Sequence, residues 1–139
     1  MKIVITGAAG GIGRRVTAAL EQTHDLLLVV SVAPEEATVF DMKSPTGRRL
    51  APLTPNVPYV RADIAEPTAL ASTFRGADVV IHLAGWPTGE WDNAMQIMST
   101  NVLGTFSVYT AARDAGVRRE VNASGLNAVG AYFRRGPSD

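Results

Sequence analysis

Residues 2–13 read KIVITGAAGGIG, and this stretch decides the fold of the chain. A short apolar run ends at Thr6, glycines follow at positions 7, 10 and 13, and a helix-like stretch comes next. Gly7 lets the chain turn sharply off the strand, Gly10 removes a Cβ that would block a phosphate, and Gly13 lets the helix lie close to the strand. A strand, a tight turn and a helix start present backbone N–H groups to a pyrophosphate. The stretch therefore predicts nucleotide binding; the alternative is a glycine-rich turn that binds nothing.

The composition is typical of one globular domain over residues 1–139. Hydrophobic residues make up 46% and charged residues 19%, which disfavours disorder. The 13 basic and 13 acidic residues cancel and form no basic stripe, so no nucleic-acid partner is expected. The absence of cysteine excludes disulfides and thiolate metal sites. Since the apolar opening is too short for a signal peptide or a membrane span, we expect a cytoplasmic protein without a membrane partner.

Short apolar runs alternate with longer helical stretches, which predicts βαβ units around a parallel sheet. Proline and glycine interrupt residues 34–56. Five strands with right-handed crossovers would take the order 3-2-1-4-5, the doubly wound, Rossmann-type α/β fold, with its ligand crevice beyond the ends of strands one and four. One apolar stripe marks the last helix: Met95, Met98, Val102, Phe106 and Tyr109. The predicted strands are residues 2–6, 26–30, 57–62, 78–83 and 119–123, and the predicted helices are residues 11–22, 67–74 and 92–115.

Four further motifs follow the glycine turn: Ala62-Asp63-Ile64, His82-Leu-Ala-Gly85, Asn101-Val-x-Gly104 and Ala123-Ser124. Together with residues 6–13 they resemble the extended short-chain dehydrogenase/reductases, which include the NAD-dependent epimerases and dehydratases. The string from Ala123 to Tyr132 is most similar to uronate-dehydrogenase-like members. The resemblance covers the whole chain in order. It implies the NAD(P)-binding domain of a sugar-acting oxidoreductase or epimerase.

The resemblance also implies roles for single residues. Asp63 would accept a hydrogen bond from the adenine amino group, unless it caps the helix that Pro67 begins. Asn101, a poor helix former, would bond backbone near the active site or face solvent. Arg14 lies in a first helical turn, where a cation is unfavourable without an anion, so it is a candidate phosphate contact or a solvent-facing side chain. The predicted cofactor-binding residues are Gly7, Ala9, Gly10, Gly11, Ile12, Gly13, Arg14, Ser31, Asp63, Ile64, Leu83, Ala84, Gly85 and Asn101.

The choice between NAD and NADP depends on the end of the second strand. NAD-binding members of the family have an acidic residue there, which holds the adenosine ribose hydroxyls. This chain has Ser31, which can make one hydrogen bond but does not repel a 2′-phosphate. We expect NAD on the overall resemblance, and NADP stays open, with Lys43, Arg48 or Arg49 as candidate counter-charges.

The catalytic residues of the family are not matched in this chain. The catalytic serine of the family falls on Gly125, and its neighbour Ser124 is the candidate catalytic residue only after a local shift, since a one-residue offset changes the face of a strand. The Tyr-x-x-x-Lys acid/base pair is absent, because Tyr109 precedes Arg113 and both belong to the earlier helix. We therefore expect a cofactor-binding domain without the later catalytic helix and substrate domain, with little or no turnover by this chain alone.

The fifth strand carries polar residues where apolar ones are expected. Glu120 and Asn122 would be costly on a buried face and tolerable on a wet one. We expect this strand at an exposed edge of a unit that ends here. An alternative function follows, a nucleotide-sensing or protein-interaction module with this strand as its partner surface; a remnant that binds nothing is a third interpretation.

Aromatic and histidine residues near the predicted crevice allow two interpretations each. Trp86 and Trp91 could line a substrate pocket, although anchoring of their loop in the core is favoured. His82 and His24 lack partners at metal-ligand spacing, so both are expected to be structural and no metal site is predicted. The expected partners are the dinucleotide, a sugar or sugar acid in complete relatives, and a second copy of the chain in a homo-oligomer.

Overall fold

The computed structural model describes residues 1–31, 56–86 and 94–125. Five parallel strands form one sheet in the order β3-β2-β1-β4-β5, as predicted. The strands are β1 (Lys2–Thr6), β2 (Asp25–Val30), β3 (Tyr59–Arg61), β4 (Val79–His82) and β5 (Arg119–Asn122). The helices are α1 (Gly11–Leu20), α2 (Pro67–Thr73), α3 (Ala94–Ile97) and α4 (Thr105–Asp114), with a π-helical segment (Met98–Gly104) joining the last two.

The central strand β1 has the most buried residues of the sheet. Ile3, Val4 and Ile5 are at most 4% exposed, because β2 and β4 flank the strand and apolar side chains cover both of its faces. Val4 belongs to a cluster with residues of α2 and α4, whereas Ile3 and Ile5 belong to a second cluster on the opposite face. The alternation places successive side chains on opposite faces, as a strand requires.

The glycine turn brings α1 against the ends of β1 and β4. Gly7 has φ +67°, and a Cβ there would lie 2.5 Å from the backbone nitrogen of Ala84. A Cβ at Gly13 would lie 2.4 Å from the carbonyl oxygen of Gly7. The Gly7 N–H also donates to the Val29 carbonyl at 3.0 Å, which ties the turn to β2. Backbone contacts this close explain why the positions of Gly7 and Gly13 exclude any larger residue.

The apolar stripe of the last helix faces outward, against the expectation that an amphipathic stripe covers the core. Met95 is 81% exposed and Phe106 is 69% exposed, and Met98, Val102 and Tyr109 are exposed too. The inward face consists of small residues that allow close approach to α2 and the sheet, namely Ser107, Val108, Ala111 and Ala112. Apolar spacing locates a stripe on a helix, but the space available beneath the helix decides which face is buried.

Most element ends differ from the predicted ones by one or two residues. The helix α1 ends at Leu20, and β3 is limited to Tyr59–Arg61 because its pairing with β2 covers only these three residues. Within the described residues, no helix is both long and apolar enough to cross a membrane.

The outer strand β5 carries a carboxyl group in an unfavourable place. Glu120 lies opposite Val80, so it shares the sheet face that α4 covers. Burial raises the pKa of Glu120 to about 7, and its Oε1 has no hydrogen-bond partner among the described residues. Asn122 lies opposite His82 and is exposed, which agrees with the expectation of a wet edge.

The substitution Glu120→Gln tests whether burial of this carboxyl group destabilises the fold. In the folded native chain the Glu120 carboxyl keeps its proton up to about pH 7, whereas in the unfolded chain it loses the proton near the ordinary pKa of 4.5. The free energy of unfolding therefore falls as the pH rises between these two values. We expect the variant to gain about 1 kcal/mol of unfolding free energy at pH 8 relative to pH 5, since solvent screens a half-exposed group. Urea unfolding at both pH values measures it, with Glu66→Gln, an exposed carboxyl, as the control. An equal effect at both pH values would contradict the assignment.

Candidate functional site

A cleft of about 540 Å³ opens at the carboxyl ends of β1, β2, β3 and β4. Its walls come from the glycine turn, the strand ends and the helix after β4. Because the ends of parallel strands meet at one edge of the sheet, motifs far apart in sequence come together there. The lining residues are Gly7, Ala9, Gly10, Val29, Val30, Ser31, Ala62, Asp63, Ile64, Leu83, Ala84, Gly85, Trp86, Gln96, Ser99 and Thr100.

The N-terminus of α1 borders this cleft with uncapped amides. Gly10 is the N-cap residue and provides no side-chain hydrogen bond, and no acidic residue lies in the first turn. The N–H of Gly10 donates to the Gly7 carbonyl at 3.0 Å, and the first intrahelical bond runs from the Arg14 N–H to the Gly10 carbonyl. The amides of the three residues between them have no acceptor within the helix. The helix dipole adds partial positive charge, so this end suits an anion.

Arg14 supports the glycine turn from outside the cleft. Its side chain is 9% exposed, and its Nε donates to the carbonyl oxygen of Ala9 at 2.8 Å. Burial lowers the pKa of this guanidinium from its ordinary value. Arg14 is not among the lining residues, although its bond partner Ala9 is, and a direct phosphate contact stays a prediction.

Asp63 and Ile64 form the wall beyond β3. The Oδ1 of Asp63 accepts a hydrogen bond from the Ala65 N–H at 2.9 Å, which fixes the carboxylate at the cleft. The N-cap of α2 is Glu66, so the alternative in which Asp63 caps this helix is wrong. Ile64 is 5% exposed and packs into the core, where a Cβ on Gly104 would come within 2.8 Å of it. The glycine of the Asn-Val-x-Gly motif thus makes room for Ile64.

Asn101 holds the loop after β4 by two hydrogen bonds. Its Oδ1 accepts from the Trp86 N–H at 2.8 Å, and its Nδ2 donates to the Trp86 carbonyl at 3.0 Å. Asn101 lies in the π-helical segment, where the wider turn sets the helix apart from ideal α geometry. The neighbouring Gly85 would place a Cβ 3.2 Å from Oδ1 of Asn101. Of the two alternatives for Asn101, the structure therefore shows backbone bonding rather than exposure to solvent.

His82 connects the end of β1 to α4. It is 1% exposed, its Nδ1 hydrogen-bonds with Oγ1 of Thr6 at 2.6 Å, and its Nε2 hydrogen-bonds with Oγ1 of Thr105 at 3.1 Å. Burial lowers the pKa of His82 to about 4, so the ring is neutral at pH 7. A neutral ring with both nitrogens bonded is structural, in agreement with its predicted role.

Sequence reasoning was wrong about Trp86 and missed part of one wall. Trp86 is 46% exposed and lines the cleft, so it does not anchor its loop in the core. Gln96, Ser99 and Thr100 reach the cleft from α3 and the π-helical segment, where only their proximity to Asn101 could have indicated them.

Several predicted residues lie elsewhere. Ser124 is exposed after the end of β5 and is not among the lining residues, so a catalytic role stays a prediction. Gly11, Ile12 and Gly13 form the first turn of α1, directly after Gly10, which lines the cleft. No group of three potential metal ligands occurs in residues 1–31, 56–86 and 94–125. Trp91, Lys43, Arg48, Arg49 and Tyr132 lie outside the described residues.

Comparisons with known proteins place this cleft in a family. Residues 3–138 match the family model of the NAD dependent epimerase/dehydratase family. The chain is 29% identical over 133 residues to a uronate dehydrogenase of Pseudomonas putida, covering 94% of this chain and 43% of the relative. It is 33% identical over 125 residues to an L-arabinose 1-dehydrogenase (NAD(P)(+)) of Haloferax volcanii, covering 88% and 40%.

Solved structures agree. The crystal structure of uronate dehydrogenase from Agrobacterium tumefaciens has a TM-score of 0.67 and 30% identity, over 89% of this chain and 40% of that one. A mutant of the same enzyme, complexed with NAD, matches equally well. The chain thus spans about two fifths of the length of these relatives.

The substitution Asn101→Ala tests the bond between the π-helical segment and the loop. Loss of both hydrogen bonds to Trp86 should lower the unfolding free energy by about 1–2 kcal/mol. The Trp86 amide should also exchange with solvent at least tenfold faster, as hydrogen-exchange NMR measures. Asn101→Asp keeps the acceptor for the Trp86 N–H but places an oxygen against the Trp86 carbonyl, so it should preserve only part of the amide protection. Gln96→Ala serves as a nearby control. Unchanged Trp86 exchange in Asn101→Ala would disprove the role.

Proposed function

The chain belongs to the NAD-dependent epimerase/dehydratase family, and we propose that it is the NAD(P)-binding domain of a sugar-acting oxidoreductase or epimerase. The observation that carries this proposal is the uncapped N-terminus of α1 at the cleft, behind a turn without side chains at Gly7 and Gly10. Such an end binds the diphosphate of a dinucleotide through backbone amides.

The cleft provides complementary groups on both sides of that turn. On one side the fixed carboxylate of Asp63 can accept a hydrogen bond from the adenine amino group, with Ile64 as an apolar support. On the other side Leu83, Ala84 and Gly85 offer a wall of small and apolar groups for the nicotinamide ribose. A predominantly apolar cleft with a few fixed polar groups is typical of cofactor sites. These assignments follow the family resemblance and remain part of the proposal.

The relatives indicate the substrate class. The curated relatives described above are named as dehydrogenases of a uronate and of L-arabinose, with NAD(P)(+) in one of the names. We infer that the complete proteins related to this chain oxidise or epimerise sugars or sugar acids by moving a hydride to or from the nicotinamide. The bound cofactor supplies the hydride chemistry, while the described residues bind and orient it.

Cofactor binding and catalytic turnover require different residues. In the printed sequence, none of Tyr59, Tyr109 and Tyr132 has a lysine four residues later. Tyr109 lies on the exposed face of α4, on the helix before β5. Without a tyrosine whose pKa a lysine depresses, no described group can exchange a proton with a sugar hydroxyl at neutral pH in the family manner. This chain alone should bind the cofactor with little or no turnover.

We also propose that copies of the chain associate, as expected from sequence. The supporting observation is the exposed apolar stripe of Met95, Met98, Val102, Phe106 and Tyr109, since large exposed apolar patches mark contact surfaces. Multi-angle light scattering should give at least twice the 14.7 kDa of one chain at micromolar concentration; a mass of one chain at every concentration would disprove association.

A cytoplasmic location of the protein stays a prediction.

A thermal-shift titration with NAD tests the proposed function. Stabilisation should grow with concentration and reach about 2.7 kcal/mol at a hundred times Kd. The substitution Gly10→Ala adds a Cβ only 3.2 Å from the Gly7 carbonyl, a contact that a small shift relieves, so the fold should persist. That methyl occupies the space over the amides, and NAD binding should weaken at least tenfold.

The control is Ser72→Ala, an exposed residue of α2 that does not line the cleft. This variant should bind NAD as the native chain does. No stabilisation of the native chain by millimolar NAD or NADP would overturn the proposal. Sugar-dependent formation of NADH by this chain alone would overturn the part that concerns turnover.

A further inference from the structure

We propose that Ser31 makes the adenosine end of the cleft tolerant of a 2′-phosphate, so that this chain binds NADP about as tightly as NAD. This inference rests on the proposed function, because it concerns the selectivity of the same site. Neither the fold nor membership of the family determines whether NAD or NADP is preferred, and the inference assigns this selectivity to Ser31.

Ser31 stands where the ribose of a bound adenosine must pass. It follows Val30, the last residue of β2, and it is an exposed residue that lines the cleft. Two backbone bonds fix the strand end beside it: the Gly7 N–H donates to Val29 at 3.0 Å, and the Ala62 N–H donates to Val30 at 3.0 Å. Ser31 is therefore held between the phosphate-facing turn and the wall that carries Asp63.

A serine side chain carries no charge at this position. A carboxylate here would accept hydrogen bonds from both ribose hydroxyls and would repel a phosphate on the 2′ oxygen. A serine hydroxyl can donate or accept one hydrogen bond, so it can serve either a hydroxyl or a phosphate oxygen. Ser31 thus removes the main source of discrimination against NADP, at the cost of some affinity for NAD.

The charges near Ser31 are mixed: a carboxylate lines the cleft, and an arginine lies on the adjacent strand. Among the described residues that line the cleft, Asp63 alone is charged, and its Oδ1 is engaged by the Ala65 N–H. Arg61 is the exposed register partner of Val30 on the adjacent strand, with backbones about 4.8 Å apart. Arg14 adds a second positive charge beside the glycine turn, where it donates to the Ala9 carbonyl. An arginine near the end of β2 is the usual counter-charge for a 2′-phosphate.

Calorimetric titration of the full chain with NAD and with NADP tests the proposal. We expect two dissociation constants within about tenfold of each other, with the NADP constant rising more steeply with salt. Ser31→Asp should weaken NADP binding by roughly 100-fold, because a second negative charge then faces the phosphate, while NAD binding is unchanged or tighter. Arg61→Gln should weaken NADP several-fold and leave NAD unchanged. Arg75→Gln removes an exposed positive charge near the first residue of β1, at the opposite end of the strands from the cleft, and should alter neither constant.

The outcomes are distinguishable. If NAD binds and NADP binds at least 100-fold more weakly, the inference is wrong while the proposed function stands. An unchanged ratio of the two constants in Ser31→Asp, with the thermal midpoint retained, would also overturn it, and Ser31→Glu provides the second variant if the first is unstable. If neither dinucleotide binds, the proposed function itself fails and the inference fails with it.

Discussion

The contact between the Gly7 backbone and the Ala84 backbone is the constraint on which the rest of the structure depends. The turn can follow β1 at this angle only because Gly7 has a positive φ and no Cβ, and Gly13 then lets α1 pass close to the Gly7 carbonyl. The same geometry points the first amides of α1 across the ends of the strands. One steric condition therefore produces both the α/β packing and the place for an anion.

Two polar connections keep the opposite wall in register with that turn. The Thr6–His82–Thr105 chain joins the last residue of β1 to β4 and to the start of α4, with a ring that burial keeps neutral at pH 7. Asn101 then fixes the loop after β4 through Trp86. Since buried polar groups are costly unless bonded, the buried Thr6–His82 pair favours a single arrangement of the two strand ends.

The parts of the fold that could be predicted are those in which chain geometry leaves little choice. The strand–turn–helix of residues 2–13 and the strand order follow from glycine placement and from short right-handed crossovers. The orientation of the last helix could not be predicted, because the spacing from Met95 to Tyr109 defines an apolar stripe without showing whether it faces the core. In the structure, small residues such as Ala111 and Ala112 take the inward face instead. Trp86 was misjudged for a related reason: large aromatic residues serve cores and clefts equally well, and local sequence does not distinguish them.

Cofactor binding and proton transfer depend on different kinds of groups in this fold. The groups proposed to hold the diphosphate are backbone amides, which depend on glycine positions and helix placement and tolerate change in most surrounding side chains. The groups that would move protons must be particular side chains with adjusted pKa values, and the printed sequence lacks the family's pair. Selectivity between cofactors lies between these extremes, since a single side chain at the end of β2 sets the local charge. Binding, selectivity and chemistry therefore depend on successively more specific features of the sequence.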